Sequence, residues 1–477
     1  MVFASYEFVF LFLPLVLVFY FLLSRICRSQ RIPHVFLVLV SLYFYAYFNF
    51  SYIKIILSSI LMNYWCAKMM AREKWSDRTR KVIMWFGVFF NVLLLGYYKY
   101  YDFFIQNINY AWGTDFMLKS ILLPLGISFF TFQQLSFWVS IYKRTEKLEN
   151  FTDYCLFVTF FPQLIAGPIV LYSEMMPQFV DDKRRFVNID NLALGIYIFV
   201  IGLFKKIVIA DSLAVFVDNG FALMEPGFVP AWITSFAYTL QLYFDFSGYS
   251  DMAVGIGRML NIDLPVNFNS PYKSCSVTEF WRRWHITLGR ALGTFVYIPL
   301  GGNRKGTLRT LFNLMAVFLV SGLWHGASWT FVCWGALHGL MVVVERVLDT
   351  QLARIPNIIR TMCTFFYINI LWVLFRAADF TETLKIYRGM FDIGNWNMTH
   401  MSSLAADGIV NLPTPVAICY ILAIILLLLF IVFFARNSME QATLFSMNFS
   451  SALFISALFV LSTVHMSRLS VFIYFNF

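Results

Sequence analysis

Three histidines are the residues best suited to do chemistry, and two of them, His325 and His338, lie in apolar stretches of the chain. His285 follows the sequence WRRW, whereas His325 and His338 each precede a glycine. Titratable groups are costly in apolar segments, so such positions suggest function. A neutral imidazole can act as a general base near neutral pH. We therefore predict a catalytic site here, with His325 as the base. A structural histidine bonded to the backbone is the alternative.

Metal binding is a rival use of these histidines. No carboxylate or second cysteine stands at a useful spacing beside Cys333, so the ligand set is incomplete. The chain has seven cysteines without a CxxC pair, which indicates neither a disulfide framework nor a zinc site. We expect no metal. The other three of the six histidines, His34, His400 and His465, are expected to be structural.

The segment 273–309 is the most basic part of the chain. Its one acidic residue, Glu279, is outnumbered by Lys273, Arg282, Arg283, Arg290, Arg304, Lys305 and Arg309. A phosphate-bearing donor such as coenzyme A would be attracted to these charges. An ordinary cytoplasmic loop with a positive bias explains the same pattern, and on charge alone it is the better explanation.

The elements that must position these residues are membrane helices. The 477 residues are 60% hydrophobic and only 13% charged, whereas soluble domains carry about 25% charged residues. The mean hydropathy of +0.70 agrees with a protein embedded in the lipid bilayer. The net charge of +10 then reflects basic cytoplasmic loops, and no nucleic-acid partner is expected.

Apolar runs of spanning length predict an all-α polytopic membrane protein with about 11–13 transmembrane or re-entrant helices. Pro124 with Gly126, Pro162 with Gly167, and Gly248 are expected to interrupt their segments. The predicted spans are 8–24, 33–50, 52–70, 82–100, 117–142, 152–172, 191–210, 229–246, 310–326, 328–345, 358–376, 413–435 and 452–470.

Basic clusters orient these spans. The clusters around 25–31, 68–81, 143–147, 346–360 and 436 fall on one side if the N-terminus is outside. The last span then places residues 471–477 outside as well. The first apolar run lacks a basic start, so it is interpreted as a retained helix rather than a cleavable signal.

Seven motifs are distributed over most of the chain. They are YFDFSGYSDMA at 243–253, FWRRWH at 280–285, YIPLGG at 297–302, GLWHGASWT at 322–330, WGALHG at 334–339, LPLGISFFTFQ at 123–133 and FPQLIAGP at 161–168. With these motifs the chain resembles the membrane-bound O-acyltransferase family, in its subgroup that modifies alginate, peptidoglycan and cellulose. The resemblance implies a helical fold around a central tunnel, in one domain over residues 1–477. This domain is expected to consist of N-terminal helices 1–115, a catalytic core 116–345 and C-terminal helices 346–477 with an exposed FIYF tail.

The resemblance further implies that His325 is the catalytic histidine and His285 a second active-site residue. It implies an acetyl-CoA donor on the cytoplasmic side, with Arg282, Arg283, Arg304 and Lys305 as candidate donor-binding residues. One departure concerns positions 293 and 294, where relatives carry an Arg-Asp pair and this chain has glycine and threonine. Any role of that pair in donor binding or helix packing is therefore in question.

The sequence FIYFNF at 472–477 resembles the terminal motif of a small peptide that assists D-alanylation of teichoic acids. That likeness makes Tyr474 a candidate acyl carrier. An aromatic anchor at the membrane interface is the alternative interpretation.

We therefore hypothesise an O-acetyltransferase of the bacterial inner membrane. It would pass acetyl groups outward through Tyr474 and a periplasmic partner of the SGNH type to an envelope polysaccharide. Two other classes stay open at this point. One is a transporter or channel, which would need titratable residues along a pathway. The other is a scaffold without chemistry.

Overall fold

Helices form nearly all the regular structure. The computed structural model describes residues 1–148, 150–396, 398, 401–404, 414–466 and 472–473. It is 76% helical, and the described residues contain no β-strand beyond an isolated bridge between Phe268 and Trp284. The predicted all-α class is confirmed. His400 and Tyr474 lie outside the described residues.

Within the described part of the chain, seven helical stretches are long and apolar enough to cross a membrane, which confirms a multi-pass protein. Two shorter apolar helices, Arg31–Ala46 and Phe449–His465, accompany them. The seven stretches are Phe8–Ile26, Asp77–Trp112, Ile189–Ala222, Thr307–His325, Trp329–Val347, Asn357–Arg376 and Pro415–Phe434.

The chain forms two compact units, and the first consists of Met1–Val200 and Tyr249–Val266. Rings of Phe3, Phe8, Phe44 and Phe161 pack in its core. His34 Nδ1 lies 2.9 Å from the Asp153 carboxylate, which joins two of its helices. Its helices are α1 Leu13–Ile26, α2 Arg31–Ala46, α3 Ser51–Met70, α4 Asp77–Leu95, α5 Tyr101–Trp112, α6 Ile127–Lys143, α7 Phe151–Thr159, α8 Phe161–Leu164, α9 Tyr172–Val180 and most of α10 Ile189–Phe204.

The second unit consists of Ile201–Gly248 and Asn267–Phe477 and contains all three histidines of interest. The longest described helix, α12 (Phe228–Met259), contributes its first part to this unit. One π-helical segment, Lys205–Ala210, precedes α11 (Asp211–Ala222), and another, Gly293–Tyr297, follows α14 (Ile286–Leu292). The helices are α11 Asp211–Ala222, α12 Phe228–Met259, α13 Val277–Arg283, α14 Ile286–Leu292, α15 Thr307–His325, α16 Trp329–Val347, α17 Asp349–Leu352, α18 Asn357–Arg376, α19 Phe380–Phe391, α20 Met401–Leu404, α21 Thr414–Phe434, α22 Ser438–Ala442 and α23 Phe449–His465.

Helices α15 and α16 form a tight hairpin. Helix α15 ends where Gly326 becomes extended, and the Ser328 hydroxyl accepts the Thr330 backbone N–H to start α16. A Cβ at Gly322 would lie 2.3 Å from the Phe331 carbonyl oxygen, and one at Gly335 would lie 2.4 Å from that of Phe318. The backbones therefore touch at two glycines, and this contact fixes the position of His325 relative to α16.

Two of the three predicted interruptions are confirmed. Helix α6 begins only at Ile127, after Gly126 with a φ of 69°. Helix α7 ends at Thr159, and after Phe160 the short helix α8, which contains Pro162, begins. The interruption predicted at Gly248 is wrong, because α12 runs through it without a break. A Cβ there would lie 2.7 Å from the Gly202 carbonyl oxygen, so this glycine serves close backbone packing instead.

Substituting Gly335 by alanine tests the hairpin contact. Because the new methyl group would overlap backbone, the helices must separate, at a cost of about 1–3 kcal/mol. Gly293→Ala is the matched control, since no atom lies within 4 Å of its Cβ position. Thermal unfolding in detergent, at one scan rate, should show a lower midpoint for Gly335→Ala only. Equal midpoints for the two variants would contradict the contact.

Candidate active site

His325 ends α15 inside an aromatic enclosure. It is buried, and its ring centroid lies 5.0 Å from that of Trp324, 5.2 Å from that of Trp334 and 5.2 Å from that of Phe375. The three rings come from α15, α16 and α18. Such apolar walls exclude water from the imidazole, and a base works best where its proton transfer is not diverted to solvent.

His338 lies fully buried in the middle of α16. Its Nδ1 accepts a hydrogen bond of 3.2 Å from the indole Nε1–H of Trp281 on α13. An imidazole nitrogen that accepts an N–H is unprotonated, so the ring's proton is on Nε2. This hydrogen bond joins α13 to α16 and fixes which nitrogen of the neutral His338 ring carries the proton.

His285 stands on an unusual backbone. Its φ is 46° and its ψ is 53°, a left-handed conformation that residues with a Cβ rarely adopt. Asn267 holds this turn by accepting from the backbone N–H of Ile286, at 3.0 Å, and from the N–H and hydroxyl of Thr287. Burial lowers the pKa of His285 to about 3, so the imidazole is neutral at physiological pH.

Two tryptophans join the three histidines into one row. The Trp324 ring centroid lies 6.1 Å from that of His285 and 5.0 Å from that of His325. The Trp334 ring then packs against both His325 and His338, at 5.2 and 4.8 Å. The structure thus brings together all three histidines that the sequence singled out, which lie 40 and 13 residues apart along the chain.

The basic helix α13 is anchored to α16. The Glu345 carboxylate accepts the backbone N–H groups of Val277 and Thr278, at 2.5 and 2.8 Å, and the Thr278 hydroxyl at 2.7 Å. These bonds satisfy donors that a helix N-terminus leaves open and place a negative charge at its positive end. The start of α13 is therefore fixed to the helix that carries His338.

The four predicted donor-binding residues lie in two different surroundings. Arg282 is exposed, whereas Arg283 pairs with Glu279 at 2.7 Å and so has part of its charge neutralised. Arg304 and Lys305 are exposed in the glycine-rich turn that leads into α15. Gly302 and Gly306 have positive φ values there, which only glycine adopts without strain.

A buried ion-pair cluster was not identified from the sequence. Lys206 Nζ lies 2.6 Å from Asp211 Oδ1 and 2.7 Å from Asp245 Oδ1. Charged residues within a predicted span are a functional signal, and Lys206 lies in the predicted span 191–210. Asp245 lies in the motif at 243–253, which α12 carries without a break. Phe246 of the same motif packs on the His285 ring, with a centroid distance of 4.8 Å.

The row of three buried histidines suits proton transfer, because a neutral imidazole can accept or donate a proton near neutral pH. Within the described residues, no group of three or more histidine, cysteine or acidic side chains converges as a metal site would require. Nothing outside its own helix backbone lies within 4 Å of the position that a Cβ would take at Gly293. Thr294 donates its hydroxyl proton to the Arg290 carbonyl oxygen, at 2.9 Å.

Comparison with known proteins identifies the family. Residues 147–378 match the model of the membrane-bound O-acyltransferase family. The peptidoglycan O-acetyltransferase of Helicobacter pylori is 44% identical over 84% of this chain and 81% of its own length. The chain belongs to the membrane-bound O-acyltransferase family. It is therefore an acyltransferase, as the sequence predicted, rather than a transporter or a scaffold.

Other members of the family are also similar. A probable alginate O-acetylase of Pseudomonas aeruginosa is 40% identical over 86% of this chain and 78% of its own length. The teichoic acid D-alanyltransferase of Bacillus subtilis is 28% identical over 46% of this chain and 58% of its own length. The matched region 147–378 contains all three histidines.

The low pKa of His285 predicts a pH dependence of stability. The unfolded chain protonates this histidine below about pH 6.5, whereas the folded protein does not do so until about pH 3. Its stabilising contribution is therefore complete above pH 6.5 and is lost as the pH falls from 6.5 toward 3. His285→Gln should flatten the fall in unfolding midpoint between pH 7 and pH 4.5. His465→Gln, at the end of α23, should keep the wild-type slope, and equal slopes in all three proteins would contradict the prediction.

Proposed function

We propose that this chain transfers an acetyl group from acetyl-CoA toward the hydroxyl groups of an extracytoplasmic polysaccharide. Relatives at 44% and 40% identity carry the names peptidoglycan O-acetyltransferase and probable alginate O-acetylase. Both names describe acetyl transfer to an envelope or secreted glycan. The acceptor of this chain is therefore proposed to be a polysaccharide of that class.

The observation that carries the proposal is the position of His325. This residue is buried beside Trp324, against which His285 also packs. An acyl transfer to a hydroxyl needs a base that removes the hydroxyl proton. His325 is proposed to be that base, and the apolar rings around it keep water from competing for the acyl group.

The first acceptor is proposed to be the Tyr474 hydroxyl. A phenol has a pKa of about 10, so it needs a base to become a nucleophile near neutral pH. His325 takes the phenol proton while the oxygen attacks the thioester carbonyl carbon. The C–S bond breaks, and coenzyme A leaves as a thiolate that regains the proton from the imidazolium. The products are an acetyl-tyrosine ester and free coenzyme A.

His285 is proposed to assist as a neutral hydrogen-bond donor. Since burial lowers its pKa to about 3, it cannot serve as an acid that is charged at neutral pH. A neutral imidazole N–H can still stabilise the negative charge that develops on the thioester oxygen. The two histidines would then divide the work, His325 moving the proton and His285 stabilising the oxyanion.

The donor is proposed to approach Arg282, Arg283, Arg304 and Lys305 from the cytoplasm. Arg304 and Lys305 stand next to the N-terminus of α15, where the helix dipole also favours phosphate. The partly neutralised Arg283 is expected to contribute least. The membrane is proposed to be the bacterial inner membrane, with both termini outside. A periplasmic SGNH-type partner would then move the acetyl group from Tyr474 to the polysaccharide.

Radiolabel transfer tests the catalytic assignment. The purified protein is incubated with acetyl-CoA labelled in the acetyl group, and the protein-bound label is counted. We expect His325→Ala to lose label by about 10²-fold or more, because a general base contributes at least that factor. Tyr474→Phe should lose it as well, since the acceptor oxygen is gone. Label that persists in Tyr474→Phe would exclude the tyrosine step, and label that persists in His325→Ala would exclude this base.

Neutralising two exposed charges tests the donor site. The double variant Arg304→Gln with Lys305→Gln should raise the KM for acetyl-CoA about tenfold or more, because hydrogen bonds to charged groups contribute about 1.5–3 kcal/mol. Arg354→Gln with Arg360→Gln removes the same charge from another predicted cytoplasmic loop and should leave the KM unchanged. An equal rise in both double variants would indicate general attraction rather than a site.

A further inference from the structure

Residues 472 and 473 contact helix α12 of the second unit. Phe472 is only 2% exposed, and its ring centroid lies 6.0 Å from that of Phe246 on α12. The backbone N–H of Ile473 donates to Asp245 Oδ2 at 2.9 Å. Successive residues of α12 thus contact both the backbone and a side chain of this segment.

The acceptor in this contact is a buried carboxylate. Asp245 is 1% exposed and pairs through its other oxygen with Lys206, which also pairs with Asp211. A buried carboxylate is stabilised by hydrogen-bond donors as well as by opposite charge, and the Ile473 N–H is such a donor. The Ile473 N–H therefore contributes to holding the Asp245 carboxylate, and Asp245 in turn holds the backbone at residue 473.

This contact is next to the candidate active site. Phe246, the neighbour of Asp245, packs on the His285 ring at 4.8 Å and on Phe472 at 6.0 Å. The segment directly before Tyr474 is thereby linked to His285 through one phenyl ring. Tyr474 is the next residue along the chain.

We propose that Asp245, oriented by Lys206, is a positioning residue that binds the backbone at Ile473 and holds the tyrosine-bearing segment at the catalytic histidines. The inference rests on the proposed function, because it gives the held segment its role as acyl acceptor. Asp245 does not touch the reacting atoms. It acts through the segment, because anchoring the backbone at Ile473 lowers the entropic cost of bringing the acceptor hydroxyl to the thioester.

Hydrogen–deuterium exchange measures the contact directly. In the full-length protein in detergent, the amide of Ile473 should exchange about tenfold faster or more in Asp245→Ala than in wild type, because a hydrogen bond to a charged acceptor is lost. Asp211→Asn is the matched control. It removes one negative charge beside Lys206 but leaves Asp245 Oδ2 in place as the acceptor, so the exchange of this amide should not change. Unchanged exchange in Asp245→Ala, or equal acceleration in both variants, would overturn the proposal.

A second pair of variants avoids the buried charges and any misfolding that their loss causes. Ile473→Pro removes the donating N–H, whereas Ile473→Ala keeps it. Ile473→Pro should lower the rate of protein labelling by acetyl-CoA as much as Asp245→Ala does, and Ile473→Ala should not lower it. Full activity in Ile473→Pro would overturn the proposal.

Acyl transfer distinguishes positioning from general support of the fold. Asp245→Ala and Ile473→Pro should lower the rate of protein labelling by acetyl-CoA about tenfold, the factor that corresponds to about 1.4 kcal/mol, and should leave the KM for acetyl-CoA unchanged. A raised KM with an unchanged maximal rate would overturn the positioning role. The wild-type protein could take no label although Asp245→Ala accelerates the exchange of the Ile473 amide as expected. This result would support the anchoring of Ile473 by Asp245 and would contradict the tyrosine step of the proposed function.

Discussion

The close contact between α15 and α16 is the constraint on which the rest of the second unit depends. Two glycines let the backbones touch, at Gly322 against Phe331 and at Gly335 against Phe318. Within membranes, helices gain little from the hydrophobic effect and rely on such packing. His325 and His338 are carried by this pair of helices, and Trp334 fills the space between their rings. A wider hairpin would leave that indole without one of its neighbours.

Burial of charge is the second determinant of this unit. A lysine at membrane depth is costly unless opposite charges and hydrogen bonds surround it. Lys206 meets this condition through Asp211 and Asp245, and Asp245 in turn accepts the Ile473 N–H. The ion pairs therefore connect the π-helical segment before α11 with the middle of α12 and with residue 473.

The sequence predicted the parts of the site that reside in short motifs. His325 and His338 stand out because titratable residues between glycines and tryptophans are rare in apolar runs. The pairing of Lys206 with Asp245 could not be predicted, because it joins positions on separate helices and no local pattern encodes their distance. The left-handed backbone of His285 could not be predicted either, because it is held by hydrogen bonds to Asn267, 18 residues earlier in the chain. Gly248 shows that a glycine alone does not distinguish a break from a close helix contact.

The bonds between Glu345 and the start of α13 also bear on how this family can diverge. One carboxylate accepts three donors, two of them from the backbone, which no substitution within α13 except proline can remove. A lineage that loses Glu345 must therefore supply another acceptor at the same place, or leave those donors unsatisfied in a partly buried setting. The side chain of Thr278, by contrast, contributes only one of the three bonds and is freer to vary. Selection is thus expected to act unequally on the two partners, retaining the acid on α16 while its hydroxyl partner drifts.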